Sequence, residues 1–307
     1  MFCLDSQTKN KGTAVALGYF DGIHLGHRAV LMKALERARV KNLVPVVMLF
    51  DIHPRKLISG KIPPMLTTES DKRDILLKMG FEVVDFDFKK AMNYTPEQFI
   101  DEILIGQLNA KSVTCGYDYH YGKGGKGSAE TLESQLSRLG VEVFAQMPVL
   151  LDAEAISSTA IRELISKGDI KKANRMLGNA FTYDFPVEKG DRIGRTIGFP
   201  TINQFFPEDF IVPKYGVYAS VVTLYGKTYP AVTNVGVRPT VEGTASMRSE
   251  TCIMDFSGDL YGKNVKVSLM EYIRDEKKFS SLDGLAQQIS KDIVKAREIY
   301  NEVMKNG

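Results

Sequence analysis

TAVALGYFDGIHLGH, Thr13 to His27, joins a β-rich apolar run to a turn and then to the amphipathic stretch HRAVLMKALERAR. The strand is expected to end near Phe20 and the helix to start near Gly26, so the turn feeds a helix N-terminus. The alternation then repeats: VPVVMLF before SDKRDILLKMG, KSVTCGY before SAETLESQLSRLG, VEVFAQM before STAIRELISKG. Such alternation predicts a Rossmann-like α/β domain with a parallel, doubly wound sheet, whose ligands bind where the strands end.

Beyond Phe181 the texture changes to closely spaced strands, GVYASVVTLYG, KTYPAVTNVGV, RSETCIMDF and NVKVSLMEYIR, which predict a small antiparallel β-barrel. Leu282, Leu285, Ile289, Ile293 and Ala296 then form one apolar stripe on a terminal helix expected to lie against the barrel. Two domains follow, 1–179 and 180–307, in keeping with a length of 307 residues and an apolar fraction of 44%. The net charge of +3 comes from 40 basic and 37 acidic residues mixed along the chain, which gives no footprint for nucleic acid. No segment reads as a leader or a membrane span, so a cytoplasmic protein is expected. Cys3, Cys115 and Cys252 are too few and too scattered for a disulfide framework or a CxxC zinc site.

The turn GYFDGIHLGH carries two of the four histidines. A helix N-terminus offers unpaired N–H groups and about half a positive charge, and His24 and His27 can add donors toward phosphate oxygens. The residues alone also fit a packed turn. Far downstream, ISSTAIRELI sets Ser157, Ser158 and Thr159 at another helix start with Arg162 in its first turn, a set suited to a polyphosphate and equally to ordinary capping, the arginine apart. Gly122, Gly124 and Gly127 spell GxGxxG, but late in the domain and without the Gly-Lys-Ser/Thr of a phosphate loop, so that fingerprint is set aside.

In the second half, GDRIGRTIGFPTIN brings three glycines, Gly190, Gly194 and Gly198, to spacings of four, and then places Thr201 and Asn203 on one face of a strand. A hydroxyl and an amide oxygen so placed can hold Mg²⁺ beside ATP phosphates, although glycine-rich hairpins with Thr and Asn are common in barrels.

Together GxFDxxHxGH and SSTxIR resemble the class I nucleotidyltransferases. Their spacing is similar to the adenylyltransferase half of the bacterial bifunctional riboflavin kinase/FAD synthetase family. FDIHP, Phe50 to Pro54, resembles that family's FxPHP except at Ile52, and GYDYHYGK, Gly116 to Lys123, its flavin-contacting loop. GxxxGRxxGFPTxN resembles the riboflavin kinase signature, and KYGVYA, NVGVRPT, ETCIMDFSGDLYGK and IRDEKKF follow in that family's order.

The resemblance implies FAD synthesis from riboflavin, first to FMN in the C-terminal half and then to FAD in the N-terminal half, each step using ATP and Mg²⁺. It implies an ATP site at Gly18, Phe20, Asp21, His24, His27, Ser158, Thr159 and Arg162. There His24 and His27 stabilise charge at the α-phosphate while Ser158, Thr159 and Arg162 hold the β- and γ-phosphates. It implies flavin contacts at His53, Asp118 and Tyr119. In the kinase half it implies ATP binding at Gly190, Gly194, Gly198, Thr201 and Asn203, metal at Thr201 and Asn203, flavin at Arg274 and Glu276, and Glu250 as catalytic base. Partners are then small-molecule substrates. Tyr19, Ile52 and Phe185 depart from the family pattern, and a flavin-binding regulatory protein of the same fold, with one activity, adenylylation before the other, weakened or lost, is the alternative.

Overall fold

The computed structural model describes residues 10–50, 60, 62–190, 193–239 and 245–306. They fall into two compact units, one of residues up to Pro63 with Thr68–Ser157, the other of Pro64–Thr67 with Ser158 onward.

The first unit is a five-stranded parallel sheet of β1 (Thr13–Leu17), β2 (Val44–Phe50), β3 (Glu82–Phe86), β4 (Ala110–Gly116) and β5 (Glu142–Gln146), ordered β3-β2-β1-β4-β5. β1 is buried throughout, and its alternation divides it between two layers. Val15 and Leu17 join Val46, Met48 and Val113 against α3 (Ala129–Arg138) and a π-helix at Phe99–Gln107. Ala16 joins Val47 and Leu49 against α1 (Leu25–Lys41) and α2 (Glu69–Lys78) on the other face. A strand covered on both faces is why TAVAL reads as a continuous apolar run. β3 and the π-helix escape a periodicity reading, because EVVDF is short and acidic at a sheet edge and FIDEILIGQ winds at neither 3.6 nor 2 residues per repeat.

Strand order reverses at β1, since β2 lies on one side of it and β4 on the other. Ala16 pairs with Thr114, so the turn after β1 and the loop after β4 leave the sheet side by side at its switch point.

The second unit opens with α4 (Ser158–Lys167) and α5 (Ile170–Leu177). Asn174 ties α5 to the strands that follow, its side chain donating to Leu269 O at 2.9 Å and accepting from Phe181 N at 2.7 Å. These bonds, with Lys214 N to Ile165 O at 3.1 Å, explain why the compact units part at Ser157/Ser158 rather than at Asn179.

Six antiparallel strands make up the rest of the unit: β6 (Phe181–Pro186), β7 (Thr201–Phe205), β8 (Gly216–Leu224), β9 (Lys227–Pro239), β10 (Ala245–Ile253) and β11 (Asn264–Arg274), ordered β6-β11-β8-β9-β10-β7. The sheet curls until its edges meet at a bridge between Glu188 and Asn203, and Gln204 Nε2 reinforces the seam by donating to Phe185 O and Val265 O.

Inside the curl, Tyr183, Phe185, Phe206 and Phe210 pack ring on ring, with Phe185 only 5.1 Å from Phe210 between centroids. Phe185 is therefore a core residue. A chain of buried hydroxyls, Ser220, Thr233 and Thr251, crosses β8, β9 and β10 at 2.7 and 2.9 Å. The terminal helix α6 (Leu282–Asn306) packs Ala296 and Ile299 on Val217, Ala219 and Val232. Its expected stripe begins too early: Leu282 is 55% exposed, and burial is concentrated from Asp292 onward.

Candidate active sites

The turn after β1 is tightly constrained. Phe20, Gly22 and Ile23 all have positive φ, at 56°, 82° and 39°, a conformation that costs free energy for the two non-glycine residues and recurs at functional sites. It delivers His24 to the N-cap of α1, where Nδ1 accepts the His27 amide at 3.2 Å. In neutral His24 that bond leaves the proton on Nε2, so the outer nitrogen is a donor. The two imidazoles stack with centroids 3.6 Å apart, and Phe20 meets the His27 ring edge-on at 5.4 Å.

His24 is buried, as are Phe20 and Asp21. A Cβ on Gly26 would lie 3.1 Å from the His24 ring and 3.5 Å from Ile156 O, so the residues just before the SSTxIR helix run close against this turn. Gly18, Phe20, Asp21, His24 and His27 thus form one cluster in the first unit.

The loop after β4 holds Asp118, exposed at the sheet end, and Tyr119, whose ring stacks on Tyr121 at 6.1 Å. Burial pushes the Tyr119 phenol well above its ordinary pKa, and burial of Cys115 beneath it pushes that thiol up to about 12. Two glycines of the set-aside fingerprint have packing duties, since a Cβ on Gly122 would meet Pro96 and one on Gly127 would strike the Tyr121 ring, while Gly124 has open space around it and a φ of 69°. His53, with Ile52, lies outside the described residues. Ser158, Thr159 and Arg162 fall in the second unit, where Arg162 Nε donates to Pro64 O at 2.7 Å.

The kinase-like cluster is assembled by strand register. Asn203 on β7 stands opposite Glu250 on β10, and Glu250 stands opposite Asn234 on β9. Directly opposed residues share a face, so three polar side chains form a row across three strands, with Thr201 two residues from Asn203 on the same face. Asn203 is 7% exposed, and Gly190 lies so close over it that a Cβ there would fall 2.3 Å from its amide nitrogen. Gly194 in turn approaches Phe199 O closely, while Gly198 turns the loop with a φ of 85°.

Beside Thr201 opens a pocket of about 540 Å³, lined among others by Arg195, Pro200, Ile253, Phe256 and Tyr261. Arg248, two residues before Glu250 on the same strand face, pairs with its carboxylate. At the far end of the row, Asn234 Nδ2 donates to Glu276 Oε1 at 3.2 Å, and Gly236 leaves the space that the Glu276 carboxylate fills.

Arg274 is committed elsewhere. Its guanidinium grips the buried carboxylate of Asp292 through Nε at 3.0 Å and an Nη nitrogen at 2.7 Å, and donates to Asp275 O at 3.0 Å. It anchors the Asp275–Glu276 turn to α6. Asp275 itself is held below the ordinary carboxylate range by Tyr272 and Lys214. Arg248, Asn234, Gly236, Phe256 and Tyr261 are not singled out by the sequence; Asn234, Gly236, Phe256 and Tyr261 fall in the runs NVGVRPT and ETCIMDFSGDLYGK, and strand alternation is the signal for Arg248.

Comparison with known proteins gives both halves a family. Residues 6–160 match the FAD synthetase model, and residues 177–300 match the riboflavin kinase model. Three curated proteins named bifunctional riboflavin kinase/FMN adenylyltransferase are similar over nearly the whole chain. That of Listeria monocytogenes is 35% identical, covering 93% of this chain and 92% of its own. That of Escherichia coli K12 is 36% identical, with 96% and 95% covered, and that of Bacillus subtilis is 36% identical, with 95% and 94%.

A solved structure named a macrolide-efflux protein from Streptococcus pneumoniae superposes with a TM-score of 0.84 at 34% identity, covering 93% of this chain and 94% of that one. Among the described residues of this chain no helix is long and apolar enough to cross a membrane. Two matching models in the right order, and relatives aligned from end to end, leave one assignment: the chain belongs to the bifunctional riboflavin kinase/FMN adenylyltransferase family.

Proposed function

We propose that this chain makes FAD from riboflavin in two ATP-dependent steps, with residues 180–307 phosphorylating riboflavin to FMN and residues 1–179 adenylylating FMN to FAD with release of pyrophosphate. The observation that carries the reading is the row Asn203–Glu250–Asn234 beneath Gly190, which puts a carboxylate between two amides beside a roomy pocket.

In the first step Glu250 accepts the proton of the ribityl 5′-hydroxyl as that oxygen attacks the γ-phosphorus of ATP, and ADP leaves; general-base help of this kind contributes about 10² to 10⁴ in rate. Arg248 keeps the carboxylate aimed. Glu276, seated on Asn234 and over Gly236, faces the flavin side, and Arg274 fixes the turn that carries it. Gly190, Gly194 and Gly198 let the backbone come close to the ATP phosphates. Thr201 and Asn203 would hold Mg²⁺: both offer neutral oxygens on one strand face, and Gly190 leaves the Asn203 amide uncovered by any side chain of its own. The ion, when bound, shields the phosphate charges against the incoming nucleophile.

In the second step a phosphate oxygen of FMN attacks the α-phosphorus of a second ATP, and pyrophosphate departs. His24, donating through Nε2 from the N-terminus of α1, and His27 stacked upon it stabilise the charge that builds on the α-phosphate. The strand ends at the switch point supply the nucleotide turn and, in Asp118 and Tyr119, the flavin loop. Ser158, Thr159 and Arg162 keep their assignment to the β- and γ-phosphates on the sequence pattern, as His53 keeps its flavin contact. Free, buried Cys115 and Cys252 support a reducing, cytoplasmic setting.

The test is direct. Purified protein given riboflavin, ATP and Mg²⁺ yields FMN and then FAD on chromatography; a reaction that yields neither refutes the proposal.

A further inference from the structure

Helix α2 carries a lysine that neither reaction step uses. Lys72 is only 1% exposed, yet it is charged and sits beneath the nucleotide turn. Its ammonium donates to Tyr19 O at 3.3 Å and to Glu69 Oε1 at 2.9 Å, and lies 4.0 Å from the centroid of the Tyr19 ring. The Tyr19 hydroxyl closes the circuit by donating to the same Glu69 oxygen at 2.9 Å.

The position of the accepting carbonyl gives this cluster its meaning. Tyr19 O immediately precedes Phe20, the first of the residues with positive φ, and at the other end of the turn Arg28 Nε donates to Ile23 O at 3.1 Å. One cation therefore holds the carbonyl at which the strained turn begins, and another the carbonyl at which it ends. A buried ammonium is tolerated only where its partners surround it. Two of the partners of Lys72, the carbonyl and the ring, belong to a single residue of the turn. Relaxing the turn would strip the ammonium of both.

We propose that Lys72, with Tyr19 and Glu69, is a positioning residue that holds the Gly18–His27 turn in its left-handed conformation and thereby fixes the His24–His27 pair for adenylyl transfer. The inference rests on the adenylyltransferase reading. It also gives Tyr19 a part in the turn: its ring is the platform on which the ammonium rests.

The test uses Lys72→Met, of similar length and without donors, in the full chain, with Glu69→Gln and Tyr19→Leu as variants at more exposed positions. FMN adenylylation, riboflavin phosphorylation and amide hydrogen exchange over residues 19–28 are measured together. Lys72→Met is expected to lower kcat for adenylylation about 10²-fold, as small misplacements of reacting groups do. KM for ATP changes far less, riboflavin phosphorylation is unchanged, and the amides of the turn exchange faster. Glu69→Gln and Tyr19→Leu show the same pattern to a smaller degree.

Adenylylation by Lys72→Met within about threefold of the parent, with unaltered exchange, overturns the proposal. If Lys72→Met does not fold, the two other variants decide, and full adenylylation with parental exchange in both overturns it equally. A parent protein that makes FMN but no FAD refutes the adenylyltransferase reading instead; the exchange measurement then still decides whether Lys72 holds the turn.

Discussion

Replacing Gly190 by alanine adds one methyl group where the structure leaves no room for it. The new Cβ would stand 2.3, 2.6 and 2.8 Å from the Nδ2, Cγ and Oδ1 atoms of Asn203, so turning the amide about χ2 does not clear it and the whole group must swing away. Asn203 cannot retreat easily. It is 7% exposed, and its carbonyl accepts from Glu188 N at 2.8 Å in the bridge that closes the curl. Gly190 does not have a left-handed φ, so alanine meets no backbone penalty and the whole effect falls on the amide.

Overpacking of this kind costs about 1–3 kcal/mol, which at 1.36 kcal/mol per tenfold is roughly 5- to 160-fold. Riboflavin phosphorylation at saturating Mg²⁺ and varied ATP should lose that factor in kcat/KM, while FMN adenylylation by the same chain stays at the parental rate. A second substitution sharpens the test, because in Asn203→Ala the obstructed amide is already gone and adding Gly190→Ala should cost little more. Parental riboflavin phosphorylation in Gly190→Ala, or an equal loss in both activities, would show that the loop does not act through Asn203.

Other outcomes follow from the same geometry. Glu250→Gln keeps the shape of the row and removes its base, so FMN formation should fall by about 10² to 10⁴ with adenylylation of supplied FMN unaffected; product chromatography separates the two. The double change His24→Ala/His27→Ala should stop the reaction at FMN, and continued FAD formation at the parental rate contradicts the charge-stabilising role. Burial holds the Cys115 thiol at about 12 and that of Cys252 at about 11 against an ordinary value near 9.0. Neither should react with iodoacetamide at pH 8 until the protein unfolds, as mass spectrometry of labelled peptides would show. Because the folded chain retains protons above pH 9 that the unfolded chain loses, these thiols add stability below that pH and lose it as pH rises toward 11 and 12, by about 1.4 kcal/mol per pH unit for each thiol within its window. Melting temperatures from pH 8 to 11 measure the decline.

Much of the architecture was legible because burial writes itself into composition. β1 and β2, covered on both faces, read as apolar runs, and β8 and β11 announce themselves by β-branched residues between turns. The ends of motifs were legible too, for His24 does stand at the helix start that the turn predicts. The residues that escaped are those whose meaning is created by pairing. Nothing in NVGVRPT says that Asn234 lies opposite Glu250, or that Gly236 makes room for Glu276, until β9 and β10 are in register. Arg274 shows the same limit: nothing near it in the sequence says that its guanidinium pairs with Asp292, 18 positions away on a helix. Lys72 stands unmarked within SDKRDILLKMG, because its partner Tyr19 is 53 positions distant.

The segment Pro64–Thr67 has a consequence for how the chain is made. Met65 lies in a parallel bridge with Phe210, its N–H donating to Asp209 O at 2.7 Å and its carbonyl accepting from Ile211 N at 2.9 Å. During synthesis these residues leave the ribosome well before residues 209–211, with which they pair. The parallel sheet around them can close with this short loop left out, to be taken up once residues 209–211 arrive. A gene fragment starting at Ser158 therefore leaves the backbone of residues 209–211 without this partner, and carrying the early segment across, or supplying it as a peptide, should stabilise the fragment.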